Sequence, residues 1–299
     1  MRITDVYLQG IGPFPGRREV FCLHTDDSRV LLTGISGSGK STALWAMAFL
    51  WRLLDPRGAP QVGAAPQGDL AMHIRDLPGG DVLVACVRAG EESFLAAAAR
   101  RHPGARLVRA GGELPPAFGE ARREDFPNML LLDADARFPR RPENLESAWF
   151  LTDDDVRDLW PQAMADLNAA GSPRVKAALQ GINRLLVDKE LLFSPGGDLQ
   201  VRLKGEVRHG PGQLSMGERH IAILCFCAAC CLRPGGVLLL DEPAVHLHPS
   251  QIMGLLTTLE GYCRQAKGQL FLVSHNPAIW QRYEELGLSV ELEVRHGDA

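Results

Sequence analysis

Apolar residues recur along this chain in two rhythms, and the change from one to the other outlines its elements. Alternation marks Arg2 to Leu8 and Glu19 to Leu23 as strands, separated by a Gly- and Pro-rich turn over Gly10 to Gly16. Short apolar runs mark further strands at Arg29 to Leu32, Val82 to Val87 and Met129 to Leu132. Ser41 to Leu54 takes helical spacing directly after a glycine-rich turn. Leu145 to Leu186 is mostly helical in spacing, with an interruption near Gly171 to Pro173, and Val201 to Leu203 reads as a short strand. Beyond Gly210-Pro-Gly212 the chain turns strongly apolar and alternates helix with strand. Neither an internal repeat nor a sustained heptad seam is present, so no long coiled coil is expected. Strands alternating with helices predict an α/β fold.

The 299 residues suffice for one large domain or two small ones, and 45% hydrophobic with 23% charged residues is the balance of a soluble globular protein. No apolar run approaches the roughly 20 residues needed to span a bilayer. The first ten residues also lack a signal-peptide layout, so a cytoplasmic protein with no membrane partner is expected. A net charge of −4 argues against a basic nucleic-acid coat protein but leaves room for a local basic surface. Nine arginines stand against six acids between Arg100 and Arg141, several of them paired (Arg100–Arg101, Arg122–Arg123, Arg140–Arg141). Four of the seven cysteines cluster at Cys225, Cys227, Cys230 and Cys231 inside an apolar run. Their spacing is not that of a zinc site, and a buried helix is the expectation.

Three motifs carry chemistry. Gly34-Ile-Ser-Gly-Ser-Gly-Lys40-Ser41 follows a strand and opens a helix, the context in which a glycine loop cradles phosphate. Gly34, Ser36, Gly37, Ser38, Gly39, Lys40, Ser41 and Thr42 are the expected ATP contacts. Backbone N–H groups and the helix N-terminus would face the anion, Lys40 would reach the β- and γ-phosphates, and the Ser41 hydroxyl would ligate Mg²⁺. As an exposed loop charge, Lys40 is expected to add little to stability. Next, Gly236 to Pro243 is a buried strand ending in Asp241-Glu242, at the strand end where open α/β sheets place ligands. Asp241 suits the Mg²⁺ site, and Glu242 suits the general base that activates water. Lastly, Ser215 and Glu218 form a Ser-x-x-Glu capping box opening a helix near Met216.

The run Leu214-Ser215-Met216-Gly217-Glu218, about 20 residues before Asp241-Glu242, resembles the signature of ABC-class P-loop ATPases. Ser274-His275-Asn276-Pro277 after the strand Leu270 to Val273 is similar to the family's switch-histidine loop, and Ala244 to Pro249 stands where its D-loop lies. Transporter-type relatives usually carry Leu-Asp where this chain has Leu247-His248; Glu-Pro-x-x-x-Leu-His-Pro resembles instead the RecF, chromosome-maintenance and overcoming-lysogenization-defect group. His246 and His248 have no further ligands nearby to suggest zinc.

The resemblance implies a mixed sheet flanked by helices plus a helical lobe carrying the signature. It gives a single head, with lobe I over about 1–112 and 233–299 and lobe II over about 113–232. ATP and Mg²⁺ are the implied ligands, and Lys40, Glu242 and His275 the implied catalytic residues, His275 sensing the γ-phosphate. The signature would close over nucleotide held by a second subunit, giving a homodimer or a pairing with a related ATPase. Gln61 and Gln67 both qualify as the Q-loop glutamine, and the adenine contact is unassigned. Relatives of this kind act in DNA repair or anti-phage defence, so DNA and a separate effector such as a nuclease are the implied partners. The alternatives are the ATPase subunit of a membrane transporter and a scaffold that binds ATP with little turnover.

Overall fold

The computed structural model describes residues 27–44, 47–48, 82–88, 94–100, 107–109, 129–132, 173–194, 199–203 and 208–292. Over 82–109 the description is of backbone alone. At its centre the described residues form a parallel sheet of five strands: β1 (Arg29–Thr33), β5 (Met129–Leu132), β9 (Val237–Asp241), β10 (Gln269–Val273) and β11 (Ser289–Glu291), in the order β11-β1-β10-β9-β5. The middle strands read as unbroken apolar runs because both faces are covered: Leu31, Leu32, Val237 to Leu240, Leu270 and Leu272 are wholly buried. Burying each such side chain stabilises the fold by roughly 1.5–3 kcal/mol before chain entropy is set against it.

The parallel register decides where the motifs fall. Asp241 pairs with Val273 in the β9–β10 ladder, and Val273 is paired in turn with Leu32 in the β10–β1 ladder. The carboxyl ends of the three strands are therefore level. The phosphate loop after β1, the Asp-Glu pair on β9 and the Ser274-His275 loop after β10 leave the sheet side by side.

The expected α/β fold of a sheet flanked by helices is present, and the described part of the central sheet is parallel. Among the described residues the antiparallel strands form separate sheets of three: β2 (Val82–Arg88), β3 (Phe94–Arg100) and β4 (Leu107–Arg109) in one, β6 (Lys189–Phe193), β7 (Leu199–Leu203) and β8 (Arg208–His209) in the other. β5 lies within the 113–232 range expected for lobe II, yet it pairs with β9 as an edge of the central sheet.

Helix α1 begins at Lys40 and is described over 40–44 and 47–48. α2 (Pro173–Leu185) starts at the proline that interrupts the helical spacing, since Pro is tolerated in a first turn. It packs on α3 (Met216–Phe226) and on the π-turn Cys227–Cys231 that extends α3. α4 (Pro249–Gln265) and α5 (Pro277–Glu285) complete the described helices. Cys225 and Cys227 are buried in the core cluster shared by α2, α3 and α4. Burial pushes the Cys230 and Cys231 thiols up to about 12, so they stay protonated and behave as small apolar groups. The expected strands at Arg2 to Leu8 and Glu19 to Leu23, the Arg101, Arg122–Arg123 and Arg140–Arg141 side chains, and Gln61 and Gln67 lie outside the described residues.

Candidate functional site

The phosphate loop is built by backbone that ordinary residues avoid. Gly34 sits at φ +140°, and a Cβ there would come within 2.7 Å of the Leu292 carbonyl oxygen, which belongs to the stretch that closes over β1. Leu292 N–H donates to the Thr33 carbonyl at 2.8 Å, so this closure is hydrogen-bonded and has no room to give. Gly37 and Gly39 also have positive φ, which lets the loop coil before α1 begins with Ala43 N–H donating to Gly39 O at 2.8 Å.

Lys40 is 4% exposed, which overturns the expectation of an exposed loop charge. Its ammonium folds back over the loop, donating to the carbonyls of Gly34 (2.9 Å) and Ile35 (2.8 Å), with Ser38 Oγ at 3.5 Å. Burial lowers its pKa, and the charges of Glu242 and Asp241 work against that shift. Ser38 and Thr42 are buried; Ser36 and Gly37 face solvent, and Gly39 and Ser41 are half-buried.

Asp241 is buried at the end of β9 and hydrogen-bonded by the Ser41 side chain. Desolvation raises its pKa against the lowering effect of Ser41 and Lys40, and its Oδ1 is buried with no hydrogen-bond partner. A serine hydroxyl beside an unpartnered carboxylate oxygen is a hard oxygen donor set, and it fits Mg²⁺.

The next residue points elsewhere. Glu242 has φ +49°, a left-handed conformation rare outside glycine, which turns its carboxylate toward the loop after β10. Its Oε2 accepts from the Ser274 hydroxyl at 3.2 Å and from the His275 backbone N–H at 3.1 Å. The His275 ring nitrogen is 3.8 Å from Oε1, beyond hydrogen-bond reach, and Oε1 is buried without a partner. The His275 side chain is 51% exposed and its ring lies 6.4 Å from that of Trp280, whose indole N–H donates to the Ser274 carbonyl. Ser274 is thus the residue that holds Glu242, and sequence reading passed over it. The register that pairs Val273 with Asp241 sets Ser274 beside Glu242, and that pairing is seen only in the fold.

The signature run separates by environment. Leu214 is buried in the core, and its side chain is an anchor, not an exposed contact. Ser215 caps α3, with Glu218 N–H donating to Ser215 Oγ at 3.3 Å and Ser215 N–H to Glu218 Oε2 at 2.7 Å. Lys189 on β6 adds an ion pair to the same carboxylate at 2.6 Å, a support the sequence did not reveal. Burial alone would raise the Glu218 pKa, but the Lys189 and Ser215 hydrogen bonds outweigh it and hold the carboxyl below its usual range. Ser215 and Met216 are left facing solvent.

The signature helix also docks on the turn after Glu242 in the same chain. A Cβ on Gly217 would meet the His246 carbonyl oxygen at 2.5 Å, and the buried ring of His220 lies with Nε2 3.2 Å from the Pro243 carbonyl. His246 itself has φ +64°, and His248 Nδ1 accepts from Ser250 N–H at 3.3 Å as the N-cap of α4. Gly217→Ala is expected to force α3 off this turn. The obstacle is backbone, so thermal denaturation should show a loss of about 1–3 kcal/mol, and an unchanged melting temperature would contradict the close approach.

Residues 115–280, more than half the chain, match the family described as "AAA domain, putative AbiEii toxin, Type IV TA system". That stretch holds the signature, Asp241-Glu242 and His275 and leaves the phosphate loop outside. Among solved structures, the fold is similar to a chromosome-maintenance protein head, "SmcHead bound to the C-winged helix domain of ScpA", with a TM-score of 0.57 and 13% identity over 94% of this chain and 92% of that one. It is also similar to the SMC head domain of Thermotoga maritima, with a TM-score of 0.53 and 16% identity over the same shares. Thiamine import ATP-binding protein ThiQ of Escherichia coli strain K12 is 41% identical over 66 residues, and that of Photorhabdus laumondii 40% identical over 77. These matches take in 22% and 26% of this chain, which spans 27% and 32% of the length of those relatives. The fold is thus that of an SMC-type head, and with a family model matching more than half of its length the chain belongs to the AAA-domain family of putative AbiEii type.

Proposed function

We propose that this chain is an ATP-binding and ATP-hydrolysing switch whose heads pair around nucleotide. The observation that carries the reading is the divergence of two adjacent carboxylates. Asp241 is turned to the Ser41 hydroxyl, and Glu242 to the Ser274-His275 loop, each with one buried oxygen unpartnered. Ser41 and Asp241 would hold Mg²⁺, which when bound neutralises phosphate charge. Lys40 and the loop N–H groups bind and orient the β- and γ-phosphates. Glu242 takes the proton of the attacking water as its oxygen bonds to the γ-phosphorus and the bond to the bridging oxygen breaks, leaving ADP and phosphate. His275 reads the γ-phosphate and passes its loss to the loop that holds Glu242. Ser215 closes on nucleotide bound by the partner subunit, the partner being a second copy or a related ATPase.

The proposed division is one head of two lobes, 1–112 with 233–299 and 113–232, in which the central sheet draws β5 from the second range. A protein effector docking on the head is in keeping with the similar head whose structure includes a ScpA domain. No described helix is long and apolar enough to cross a membrane, and a cytoplasmic site of action fits that. Action on DNA, in repair or anti-phage defence, is the biological part of the proposal. Double-stranded DNA is expected to raise the Mg²⁺-dependent ATPase rate, through the arginine pairs near Arg100, Arg122 and Arg140. That stimulation should fade steeply with salt, because phosphate contacts release counterions. The measurement is ATPase rate against DNA concentration at low and high salt. Turnover that DNA leaves unchanged at low salt would remove DNA from the proposal and leave a protein partner. No Mg²⁺-dependent turnover under any of these conditions would remove the hydrolytic switch itself.

One observation favours a second reading, the ATPase subunit of a transporter: the local identity to thiamine import ATP-binding proteins. It is confined to about a quarter of the chain, and His248 caps a helix at the position where transporter-type relatives usually carry aspartate. Recovery of a multi-span membrane protein bound to the chain would favour that reading.

A further inference from the structure

The turn that follows β9 carries the Glu242 carboxylate on a backbone that does not keep its shape unaided. Glu242 (φ +49°) and His246 (φ +64°) are both left-handed, a conformation that ordinary residues hold only where their surroundings enforce it. Glu242 N–H donates to the Val273 carbonyl at 2.9 Å, which carries the β9–β10 ladder one step further. Within the turn, Val245 N–H donates to the Glu242 carbonyl at 3.1 Å and Leu247 N–H to the Ala244 carbonyl at 3.2 Å. These bonds fix the entry and the local curl. What holds the segment from outside is α3.

Two residues of α3 supply that hold. Gly217 and His220 are three apart and so lie on one face of the helix. The absence of a Cβ on Gly217 lets the His246 carbonyl come close, and His220 Nε2 lies 3.2 Å from the Pro243 carbonyl. A ring nitrogen that faces a carbonyl oxygen donates to it. His220 is 6% exposed and Pro243 is buried, so water is poorly placed to take over as donor. The residues that follow, Ile221 to Phe226, are core side chains, a run that an apolar residue at 220 would merely extend. The polar ring at the head of that run has its use in the carbonyl it meets.

We infer that His220 is a positioning residue for Glu242. Its Nε2–H holds the Pro243 carbonyl, and through the adjoining peptide it keeps Glu242 in the conformation that delivers its carboxylate to Ser274 and His275. This role rests on the reading of Glu242 as the group that takes the proton of the attacking water. Without the donor, the buried carbonyl turns toward another partner and Glu242 relaxes toward an ordinary φ. The carboxylate then leaves Ser274 Oγ and the His275 N–H. Lys40, Ser41 and Asp241 precede the turn and keep their places.

Three substitutions separate donation from packing. His220→Met fills most of the ring's space without a donor, and the shorter amide of His220→Asn does not reach the carbonyl. His220→Gln places an amide N–H near the position of Nε2. In the full chain, the methionine and asparagine variants are each expected to lower kcat for Mg²⁺-dependent ATP hydrolysis by about ten- to a hundredfold, the scale of a small misplacement at a reacting group. KM and ATP affinity should stay within about twofold, as for a group that acts on the chemical step alone. His220→Gln should recover most of the turnover. Hydrogen exchange without nucleotide gives a second readout. The Val245 and Leu247 amides should exchange about tenfold faster in His220→Met and return toward the original rate in His220→Gln. Combined with Glu242→Gln, His220→Met should lower the residual turnover no further, because the group it positions is gone. An unchanged kcat, ATP affinity that falls in step with kcat, no recovery with glutamine, or a full further loss on Glu242→Gln would each overturn the positioning role. Unchanged exchange in His220→Met would do the same and leave the reading of Glu242 standing. A Glu242→Gln chain that hydrolyses ATP at the full rate overturns both.

Discussion

Lys40→Ala is expected to weaken ATP binding by about a hundredfold or more, since it removes an ion pair and charge-assisted hydrogen bonds to phosphate. The buried position adds a second effect. The ammonium satisfies the Gly34 and Ile35 carbonyls and offsets the charges of Asp241 and Glu242. Its removal should therefore also cost about 1–3 kcal/mol of stability through unmet acceptors, where an exposed lysine would cost next to nothing. Lys40→Met keeps most of the stem in place but leaves the same carbonyls without a donor. It should bind ATP as poorly as the alanine variant and regain only the part of the stability that comes from packing of the stem. Calorimetric titration with ATP and thermal melts without it are the measurements. ATP affinity unchanged in both variants would rule out the phosphate-loop assignment.

The central sheet was legible because its strands are continuous apolar runs ended by punctuation. Val237 to Leu240 stops at two carboxylates, and Leu270 to Val273 stops at Ser-His-Asn-Pro. The capping box was legible for a similar reason, since Ser215 and Glu218 act within one turn of helix. Features that depend on two distant segments were not. Lys189 reaches Glu218 only because a hairpin is folded beside α3, and nothing near Lys189 in the sequence marks it. The hydrogen bond from Leu292 N–H to the Thr33 carbonyl, which sets the Leu292 carbonyl against Gly34, joins segments some 250 residues apart in the chain. The hairpin β6–β7 was half seen: Val201 to Leu203 has a strand's pattern, but Lys189 to Phe193 carries two charges at one end and declares itself only by pairing. The same distance hid the buried network in which Arg29, Arg282 and Tyr283 all donate to Glu260 and tie β1 and α5 to α4.

Glu242→Gln is expected to trap an ATP-bound dimer, and Ser215→Arg to prevent that dimer from forming. The first substitution is nearly isosteric in this setting. A glutamine carbonyl can keep the Oε2 position, accepting from Ser274 Oγ and His275 N–H, while the amide nitrogen takes the place of Oε1, which has no partner to lose. Geometry is kept and the proton acceptor is gone, so turnover should fall by about 10²–10⁴-fold, the ordinary contribution of a general base. ATP affinity should change little, because Asp241, Ser41 and Lys40 are untouched. With hydrolysis blocked, the γ-phosphate persists, and mass action draws the heads together as ATP rises. Ser215→Arg acts on the other half of the contact. The side chain is exposed at the start of α3, so arginine can be accommodated in the monomer at the cost of the cap, about 1 kcal/mol. It would then project toward the partner's phosphate loop and hold the heads apart. A chain carrying both substitutions should bind ATP, melt close to the Ser215→Arg chain and elute as a monomer on sizing with ATP and Mg²⁺, where Glu242→Gln alone elutes as a dimer. A Glu242→Gln chain that binds ATP at saturation yet elutes as a monomer would exclude the self-paired head and direct attention to a different ATPase chain as the partner.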